Sequence, residues 1–500
     1  MKVKAIFFRT LVFAHRYMGI GIGWLMLLWC LSGIVMMYVR YPELQRAETY
    51  ASRAPLEMTR CCAVPAQLYA ADERIIAASI VMLSGRPVLQ VLPNYGFASF
   101  VDLHSGQQIA AVTGADALSS ARQYLHAMRL QGMPQLLSVI DHDQWTVYGR
   151  YDPDRPLYHV ALNDAAGTEL YFSQASGGLV QKTTRSERFW NWLGSVPHWL
   201  YFEVLRQNTG LWAQIMIWSS VLGCFLSVFG LYMGIWQLRR KRDGRLHSPY
   251  RGWKYWHHVP GLLFGMMVLT WVFSGLLSMN PWGWLELPDA AFDARQLRGE
   301  LPVWAEVHEA ITILPTASLP QDTASLEASI LQGRLSWRAT TQQGTSQRLN
   351  TRWQAAPLSD TEITQAVTAL DATASWSRLN SGDTYYYSHG RDHAVLPAVR
   401  VMTQDAQATR YYLDAVSGEL LRKVDDNARW YRWLHSGLHR LDFSPVFRMR
   451  PLWDGMMWLL LLGASLICAT GVWLGIRRLR GRFLKSTNTS RRPIGSAPVQ

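Results

Sequence analysis

Hydrophobic residues are gathered in four long blocks of the 500-residue chain, and the stretches between them alternate apolar and polar positions. The blocks cover residues 17–39, 211–236, 259–279 and 452–476. Each is long enough for the roughly 20 helical residues that cross a hydrocarbon core of about 30 Å. Asp454, at the start of the fourth block, is the only charged residue in them. The pattern therefore predicts four transmembrane helices.

The stretches between the blocks show the pattern of small α+β units. Three segments read as a strand, a tight turn with glycine at its end, and a returning strand: "FVDLHSGQQIA" (100–110), "LYFSQASGGLV" (170–180) and "YYLDAVSGELL" (411–421). "RLNTRWQAAPLS" (348–359) occupies a fourth such place without the glycine. Helical patterns over 116–128 and 361–372 follow the first member of each pair. Each region outside the membrane is therefore predicted to be a pair of α+β units.

The formal net charge of +13 does not indicate a nucleic-acid partner, because the basic residues lie beside the apolar blocks instead of forming a stripe. Basic residues precede the first block, follow the second ("RRKRDGR", 239–245) and follow the fourth ("RRLRGRFLK", 477–485). The positive-inside rule places these three segments and both termini in the cytoplasm. The predicted order is a cytoplasmic N-terminus with the first span (1–39), an outer domain (40–210), the second span (211–236), a basic cytoplasmic loop (237–258), the third span (259–279), an outer domain (280–451), the fourth span (452–476) and a basic cytoplasmic tail (477–500).

Two halves of the chain resemble each other. Residues 188–212 align with 429–453 at a constant offset of 241, and "AHRYMG" (14–19) aligns with "WHHVPG" (256–261) at an offset of 242. The second offset also places "LSG" (31–33) on "FSG" (273–275). At the first offset Gly230 falls on Gly471 and Gly234 falls on Gly475. Two glycines at this spacing on one helix let a neighbouring helix approach closely. A tandem repeat of this kind predicts a four-helix bundle with a pseudo-twofold axis along the membrane normal.

Four histidines occupy equivalent positions in the two copies: His15 with His257, and His198 with His439. Each alone is compatible with an ordinary residue at the membrane interface. In a pseudo-twofold bundle, however, equivalent residues face each other across the axis. Two facing neutral imidazoles are the usual axial ligands of a low-spin b-type haem. The chain has no C-x-x-C-H motif, so covalently attached haem is disfavoured.

Several glycines follow His15 and His257 in the chain, and their role has two interpretations. Gly19, Gly21 and Gly23 follow His15, and Gly261 and Gly265 follow His257. They either make room for a flat macrocycle or serve only helix packing.

Two further histidines have no equivalent in the other copy. His258 falls on Arg16, and His435 falls on Gly194. We interpret both as second-tier candidates, as contacts to haem propionates or as an alternative ligand. A zinc or copper site is less favoured, because His389 and His393 form an isolated pair without further ligands at metal-site spacing.

Other functions are disfavoured by what the spans and loops contain. Proton or solute transport needs ionisable residues at mid-membrane depth, and the four blocks have none there. The cytoplasmic segments are too short for a reductase domain, so electrons have to come from a quinol or from a separate cytoplasmic donor. The adjacent Cys61 and Cys62 are expected to be free thiols, because neighbouring cysteines bridge only with strain.

The chain resembles the PepSY-associated transmembrane helix family, whose members include inner-membrane reductases of ferric siderophores. The resemblance rests on "AHRYMG", "LSG" and "FSG", on "PHWLYF" and "LHSGLH" before the descending spans, and on "YYLDAVSGELL". It implies a bacterial inner-membrane protein with PepSY-like domains in the periplasm and, for the reductase branch, two haems in the bundle. The implied ligands are His15, His257, His198 and His439, the residues that the repeat selects.

We therefore expect a membrane-bound oxidoreductase with two b-type haems, which carries electrons outward to ferric iron in a siderophore or to a similar periplasmic acceptor. His15 and His257 would ligate the inner haem, and His198 and His439 the outer one. Aromatic residues near the outer interface either shape the acceptor site or form an anchoring belt; they are Trp190, Trp192, Trp199, Tyr201, Trp430, Tyr431 and Trp433. The alternative function is a membrane-anchored PepSY protein that binds or regulates a periplasmic protein without redox activity.

Overall fold

The computed structural model of the protein describes residues 2–58, 61–388 and 393–489. Its α-helices are α1 (Lys2–Met36), α2 (Arg46–Ala51), α3 (Gly114–Ala127), α4 (Arg185–Leu193), α5 (Ser195–Trp199), α6 (Glu203–Arg206), α7 (Thr209–Trp236), α8 (Trp253–Ser278), α9 (Ala291–Arg298), α10 (Trp304–Thr312), α11 (Asp360–Leu370), α12 (Asp426–Tyr431), α13 (Leu438–Arg440) and α14 (Leu452–Thr489). A π-helical segment, Arg432–Gly437, joins α12 to α13. His389 and the end of the basic tail, residues 490–500, lie outside the described residues.

The strands form three sheets and one short hairpin. They are β1 (Ile75–Leu83), β2 (Arg86–Pro93), β3 (Ser99–Asp102), β4 (Gln135–Ile140), β5 (Leu157–Ala161), β6 (Glu169–Ser173), β7 (Leu179–Thr183), β8 (Arg239–Arg240), β9 (Leu246–His247), β10 (Thr323–Leu331), β11 (Arg334–Thr341), β12 (Ser346–Leu349), β13 (Ser375–Leu379), β14 (Ala398–Met402), β15 (Arg410–Asp414) and β16 (Leu420–Val424). The sheet orders are β12-β11-β10-β1-β2-β3, β4-β5-β6-β7 and β13-β14-β15-β16, and β8 pairs with β9.

Four helices are long and apolar enough to cross a membrane, as the sequence predicts: Ile6–Met36, Thr209–Trp236, Trp253–Ser278 and Leu452–Arg480. The protein is therefore a membrane protein. The helices extend beyond the predicted blocks, since α8 begins six residues early and α14 continues to Thr489. Apolar composition marks the part of a helix that suits lipid, whereas the hydrogen-bonded helix continues through Lys, Arg and other good helix formers.

The four long helices form a ring in which α1 and α8 lie on one diagonal. Each of these two helices packs against both α7 and α14. Small residues allow the close approaches: a Cβ on Gly223 would come within 2.9 Å of Val272, and one on Gly463 within 2.5 Å of Phe264. The diagonal arrangement brings the ascending helices of the two proposed copies opposite each other.

The two segments outside the bundle form one compact unit, Pro42–Arg188 with Glu286–Arg429. The expected division into two separate outer domains, 40–210 and 280–451, is therefore wrong in this respect. Strands β1 and β10 pair antiparallel with Ser79 opposite Glu327, so both segments contribute three strands to one six-stranded sheet. This pairing satisfies the backbone groups that two separate three-stranded sheets would leave at exposed edges. Residues 189–210 and 430–451 belong instead to the unit that contains the bundle.

The predicted strand-turn-strand segments 170–180 and 411–421 are confirmed, whereas in 100–110 the chain returns after β3 through a single bridge between Val101 and Gln108 and forms no second strand. Their turn glycines, Gly106, Gly177 and Gly418, all have φ between 71° and 77°, a region that L-residues rarely adopt. Trp353 takes the same place in the segment without glycine, with φ 62°. Its indole N–H donates to the carbonyl of Ala310 at 2.7 Å and its ring is buried, which offsets the backbone strain.

The predicted helices over 116–128 and 361–372 correspond to α3 and α11, and each packs on one of the four-stranded sheets. Cys61 and Cys62 are joined by a disulfide across a cis peptide bond, so the expectation of free thiols is wrong.

Candidate functional site

The four repeated histidines meet in two pairs, as predicted. The ring centroids of His15 and His257 are 6.3 Å apart, with an angle of 49° between the ring planes. Those of His198 and His439 are 6.2 Å apart, at 79°. We call His15–His257 the span pair, because both lie in spanning helices, and His198–His439 the flank pair, because both lie in short helices that precede a span.

Each histidine of the span pair is held by a backbone carbonyl of a neighbouring helix. Nδ1 of His15 lies 3.0 Å from the carbonyl oxygen of Leu226, and Nδ1 of His257 lies 3.1 Å from that of Ile467. A carbonyl only accepts hydrogen bonds, so in the neutral ring Nδ1 carries the proton and Nε2 keeps the lone pair. This is the tautomer that a metal ion requires when it binds through Nε2.

Glycines on the descending helices make room for the rings of the span pair. A Cβ on Gly230 would lie 2.8 Å from Cε1 of His15, and one on Gly471 would lie 3.1 Å from Cε1 of His257. Real Cβ atoms essentially never come as close as the contact at Gly230, and the contact at Gly471 is tighter than nine in ten real ones, so a larger residue at either position requires the ring to shift. The two glycines, predicted from sequence only as helix-packing residues, therefore also position the histidines.

Serine side chains hold the flank pair in the same tautomer. Nδ1 of His198 lies 3.0 Å from Oγ of Ser32, and Nδ1 of His439 lies 2.9 Å from Oγ of Ser274. The Ser32 hydroxyl donates to the carbonyl of Leu28 at 2.6 Å, and that of Ser274 donates to its own helix in the same way. Each serine oxygen is thus left to accept from Nδ1–H.

The two serines are functional residues that the sequence analysis missed. They are the middle residues of "LSG" and "FSG", which served there only to align the two halves. Their equivalence at an offset of 242 was the available signal. The partners of each bond are far apart along the chain, so the contact itself could not be predicted.

The short helices that carry the flank pair end in the same way. Leu200 and Leu441, the residues that follow them, both have left-handed backbone conformations, with φ 50° and 57°. The indole N–H of Trp212 donates to the carbonyl of Trp199 at 2.8 Å, and that of Trp453 to the carbonyl of Arg440 at 2.7 Å. The first turn of each descending span therefore fixes the last turn of the short helix before it.

The geometry of both pairs fits two axial ligands on one iron. An imidazole nitrogen binds a transition metal at about 2 Å, so two rings on opposite sides of the metal have centroids about 6 Å apart. The hydrogen bonds of the four rings to Leu226, Ile467, Ser32 and Ser274 all use Nδ1, and none of these bonds uses Nε2. Burial lowers the pKa of His198 to about 4 and that of His439 well below its usual range, which favours the neutral ligand form.

The glycines that follow the span pair have different surroundings. A Cβ on Gly261 would meet no atom within 4 Å, and one on its equivalent Gly19 would meet only Leu226 at 3.8 Å. Gly265, in contrast, packs tightly, with a Cβ 2.8 Å from Leu231. Gly261 therefore borders open space, Gly19 has room for a Cβ in ordinary contact with Leu226, and Gly265 serves helix packing.

A sequence profile of the PepSY-associated TM region matches residues 13–370, well over half of the chain. The chain belongs to this family. The matched segment of this PepSY-associated protein includes His15, His198 and His257, and His439 lies beyond it. A search of curated proteins finds no match.

The two second-tier histidines of the PepSY-associated chain are held differently. His258 uses both ring nitrogens, Nδ1 at 2.8 Å from Oγ of Ser248 and Nε2 at 2.9 Å from the carbonyl of Gly234. It has no nitrogen left for a metal in this arrangement. His435 lies in the π-helical segment and stacks beside His439, with ring centroids 5.2 Å apart at 25°. Its Nδ1 is 3.1 Å from the carbonyl of Ser274.

The described part of this family member contains no cluster of three or more His, Cys, Asp or Glu residues that could hold a metal ion. An axial haem site needs only two protein ligands, because the porphyrin supplies the other four. Of the aromatic residues considered for an acceptor site, Trp190, Trp192 and Trp430 are exposed, as an interfacial belt requires. Trp199 and Tyr201 instead pack on each other, with ring centroids 5.1 Å apart.

Proposed function

We propose that the protein binds two b-type haems, one between His15 and His257 and one between His198 and His439, and conducts electrons across the membrane. One observation carries the proposal: all four imidazoles are fixed through Nδ1, and their free Nε2 atoms belong to rings spaced for one iron per pair. Bound haem iron would supply a one-electron Fe(III)/Fe(II) couple at each site.

The chain's own residues would set the properties of the two sites differently. In the span pair, backbone carbonyls of Leu226 and Ile467 accept from the imidazoles, and the helix backbone fixes the orientation of these carbonyls. In the flank pair, the hydroxyls of Ser32 and Ser274 are the partners of Nδ1. A hydroxyl is on a rotatable side chain, so its orientation towards the ring is less fixed than that of a backbone carbonyl. Partners of metal-bound histidines tune ligand basicity, so the two sites should differ in potential.

The proposed architecture is a tandem repeat of one unit with two spans. Equivalent residues support it at three levels: the paired histidines, the carbonyls of Leu226 and Ile467, and the indole donors Trp212 and Trp453. We further propose that the extramembranous unit is PepSY-like and that, in the second copy, His435 is a neighbour of the flank pair without a counterpart in the first copy.

The proposed location is the bacterial inner membrane with both termini in the cytoplasm. The basic residues beside the spans support this orientation through the positive-inside rule. Electrons would enter from a quinol or a separate cytoplasmic donor at the span pair and leave near the flank pair. The proposed acceptor is ferric iron in a siderophore, because hard oxygen ligands hold Fe³⁺ far better than Fe²⁺ and reduction therefore releases the metal.

The test combines spectroscopy with iron release. The purified protein, reduced with a stoichiometric amount of dithionite under anaerobic conditions, is mixed with a ferric hydroxamate siderophore. We expect the reduced α band to decay while a ferrous chelator traps Fe²⁺ in equal electron equivalents. A haem-containing protein whose α band persists would rule out this acceptor, and a colourless protein from haem-replete cells would rule out the conduit.

A second candidate function is binding of a periplasmic protein by the extramembranous unit. Strand β4 lies at the edge of its sheet, and Leu137 and Val139 on it are 48% and 52% exposed. An apolar edge strand can accept an extended segment of another chain by adding a strand. Leu137→Lys would abolish such binding in a pull-down and leave the haem spectrum unchanged.

A further inference from the structure

The connection between the second and third spans is a folded hairpin. Strands β8 and β9 pair with Arg239 opposite His247, and the backbone N–H of Lys241 donates to the carbonyl of Arg245 at 2.9 Å. Gly244 closes the turn with φ 83°. We call residues 239–247 the basic hairpin. The sequence predicted only a basic loop over 237–258.

The hairpin carries a dense and exposed positive charge. Its nine residues include five cationic side chains and one carboxylate, Asp243. The cationic residues are all exposed, and they are Arg239, Arg240, Lys241, Arg242 and Arg245. Asp243 neutralises little of this charge, because its nearest cation, Arg245, is 3.9 Å away and 85% exposed. The surface is therefore strongly positive.

The base of the hairpin is fixed beside the span pair. His258 bonds Ser248, directly after β9, and the carbonyl of Gly234, near the end of α7. The ring of Tyr250 packs edge-on against His258 at 5.2 Å. His258 is the neighbour in sequence of His257, so the segment that carries the hairpin is tied one residue from a member of the span pair. Basic residues that only set the orientation of the spans act through their number and position in a loop, and they do not require the loop to fold into a hairpin.

We propose that the basic hairpin is the docking surface for a separate, acidic electron-donor protein. The inference rests on the proposed function and specifies its donor. The connection between the second and third spans is too short to hold a reductase domain, so the proposal takes the electron donor to be a separate molecule. Transient redox complexes use small interfaces that are guided by complementary charge, which suits a compact positive hairpin. Each encounter would oxidise the donor by one electron and reduce haem iron held by the span pair from Fe(III) to Fe(II), and no bond would form or break.

The composition of the hairpin favours a protein partner over anionic lipid. Segments that bind lipid surfaces combine basic residues with a broad apolar face that enters the interface. The hairpin offers a single exposed apolar side chain, Leu246.

The test uses the full-length protein in nanodiscs of neutral lipid and photoreduced flavodoxin, an acidic flavoprotein, as the donor. The hairpin variant is R240Q/K241Q/R242Q. The matched control is R477Q/R478Q/R480Q, which removes three exposed charges from α14. Stopped-flow absorbance gives the second-order rate of haem reduction, and surface plasmon resonance gives donor binding without any need for haem. A neutral quinol serves as reference reductant.

We expect the hairpin variant to be reduced by the donor at least about tenfold more slowly at low salt, with a flattened salt dependence, because steering multiplies association rates by 10 to 1,000. Binding should weaken in parallel, while the control variant and reduction by quinol stay near wild type. Equal losses in the two variants would overturn the proposal, and so would a hairpin variant that matches the wild type in neutral lipid and is slower only when the measurement is repeated in nanodiscs of anionic lipid.

The two proposals fail in different ways. Haem that is reduced by quinol, in a wild-type protein that does not bind the donor, would leave the conduit intact and refute the docking surface. A preparation without haem would refute the conduit, and the binding measurement would still decide whether the hairpin holds the donor.

Discussion

At the scale of single residues, the candidate site depends on which nitrogen of each histidine is already used. The carbonyls of Leu226 and Ile467 and the hydroxyls of Ser32 and Ser274 all engage Nδ1. An ordinary interfacial histidine has no reason to be oriented in this way at four places. The common arrangement favours a ligand role, because it leaves the four Nε2 lone pairs for a metal.

Replacing Ser274 with alanine should alter one haem and not the other. The change removes the acceptor of the His439 Nδ1–H bond, so ligand basicity falls and affinity for the haem of the flank pair drops about 10- to 100-fold. A redox titration should show one of two midpoint potentials displaced. Ser278→Ala is the control, because its hydroxyl bonds the carbonyl of Gly275 in the same helix and not a histidine. Equal shifts in both variants would remove the positioning role.

Gly471→Ala should selectively empty the span pair. The added methyl group would lie 3.1 Å from Cε1 of His257, so the ring has to shift by a few tenths of an ångström from the position in which it pairs with His15. We expect the haem content to fall by half while the haem of the flank pair keeps its spectrum. Gly455→Ala, in the same helix, meets no atom within 4 Å and should retain both haems. Loss of both haems in the first variant would show that the bundle, and not one site, is disturbed.

His435→Ala should retain both haems, in contrast to His439→Ala. The ring of His435 stacks on that of His439 with a centroid distance of 5.2 Å, whereas His198 and His439 are 6.2 Å apart, the spacing of two ligands on one iron, so we assign His198 and not His435 as the opposite ligand. Pyridine haemochrome analysis of the two variants makes the comparison. If the His435 variant lost a haem and the His439 variant kept it, the assignment of the flank pair would be reversed.

At the scale of elements, hydropathy was sufficient to find the spans and periodicity to find the strand-turn-strand segments. Sequence could not show where α8 begins, because the polar residues around His257 are helical without being lipid-like. Nor could it show that β1 pairs with β10, because the two strands lie in different halves of the chain and any exposed strand was a possible partner. The histidine pairs were predictable only because the proposed repeat supplied a symmetry argument.

The indole hydrogen bond that ends each short helix should contribute to haem retention in the flank pair. Trp453→Phe keeps the aromatic ring but removes the indole donor to the carbonyl of Arg440, directly after His439. An unsatisfied buried carbonyl costs about 1 to 3 kcal/mol. We expect faster loss of the haem of the flank pair to an acceptor such as apomyoglobin. Trp458→Phe, whose indole bonds the hydroxyl of Tyr38 at the surface, should not change that rate.

At the scale of the whole molecule, the chain consists of a membrane bundle and one extramembranous unit to which both halves contribute. The sequence predicted the class of each part and missed the fusion of the outer segments. Family membership agrees with the bundle and its extramembranous insertions. The proposed conduit adds one requirement at this scale: both histidine pairs must be loaded in the same chain.

The haem content per chain tests this requirement most directly. Protein purified from haem-replete cells is analysed by pyridine haemochrome against its mass, for the wild type and for His257→Ala and His198→Ala. The account predicts two b-type haems in the wild type and one in each variant, with different reduced spectra for the two single-haem forms. A wild-type protein without haem, or variants that lose both haems or neither, would contradict the assignment of one haem to each histidine pair.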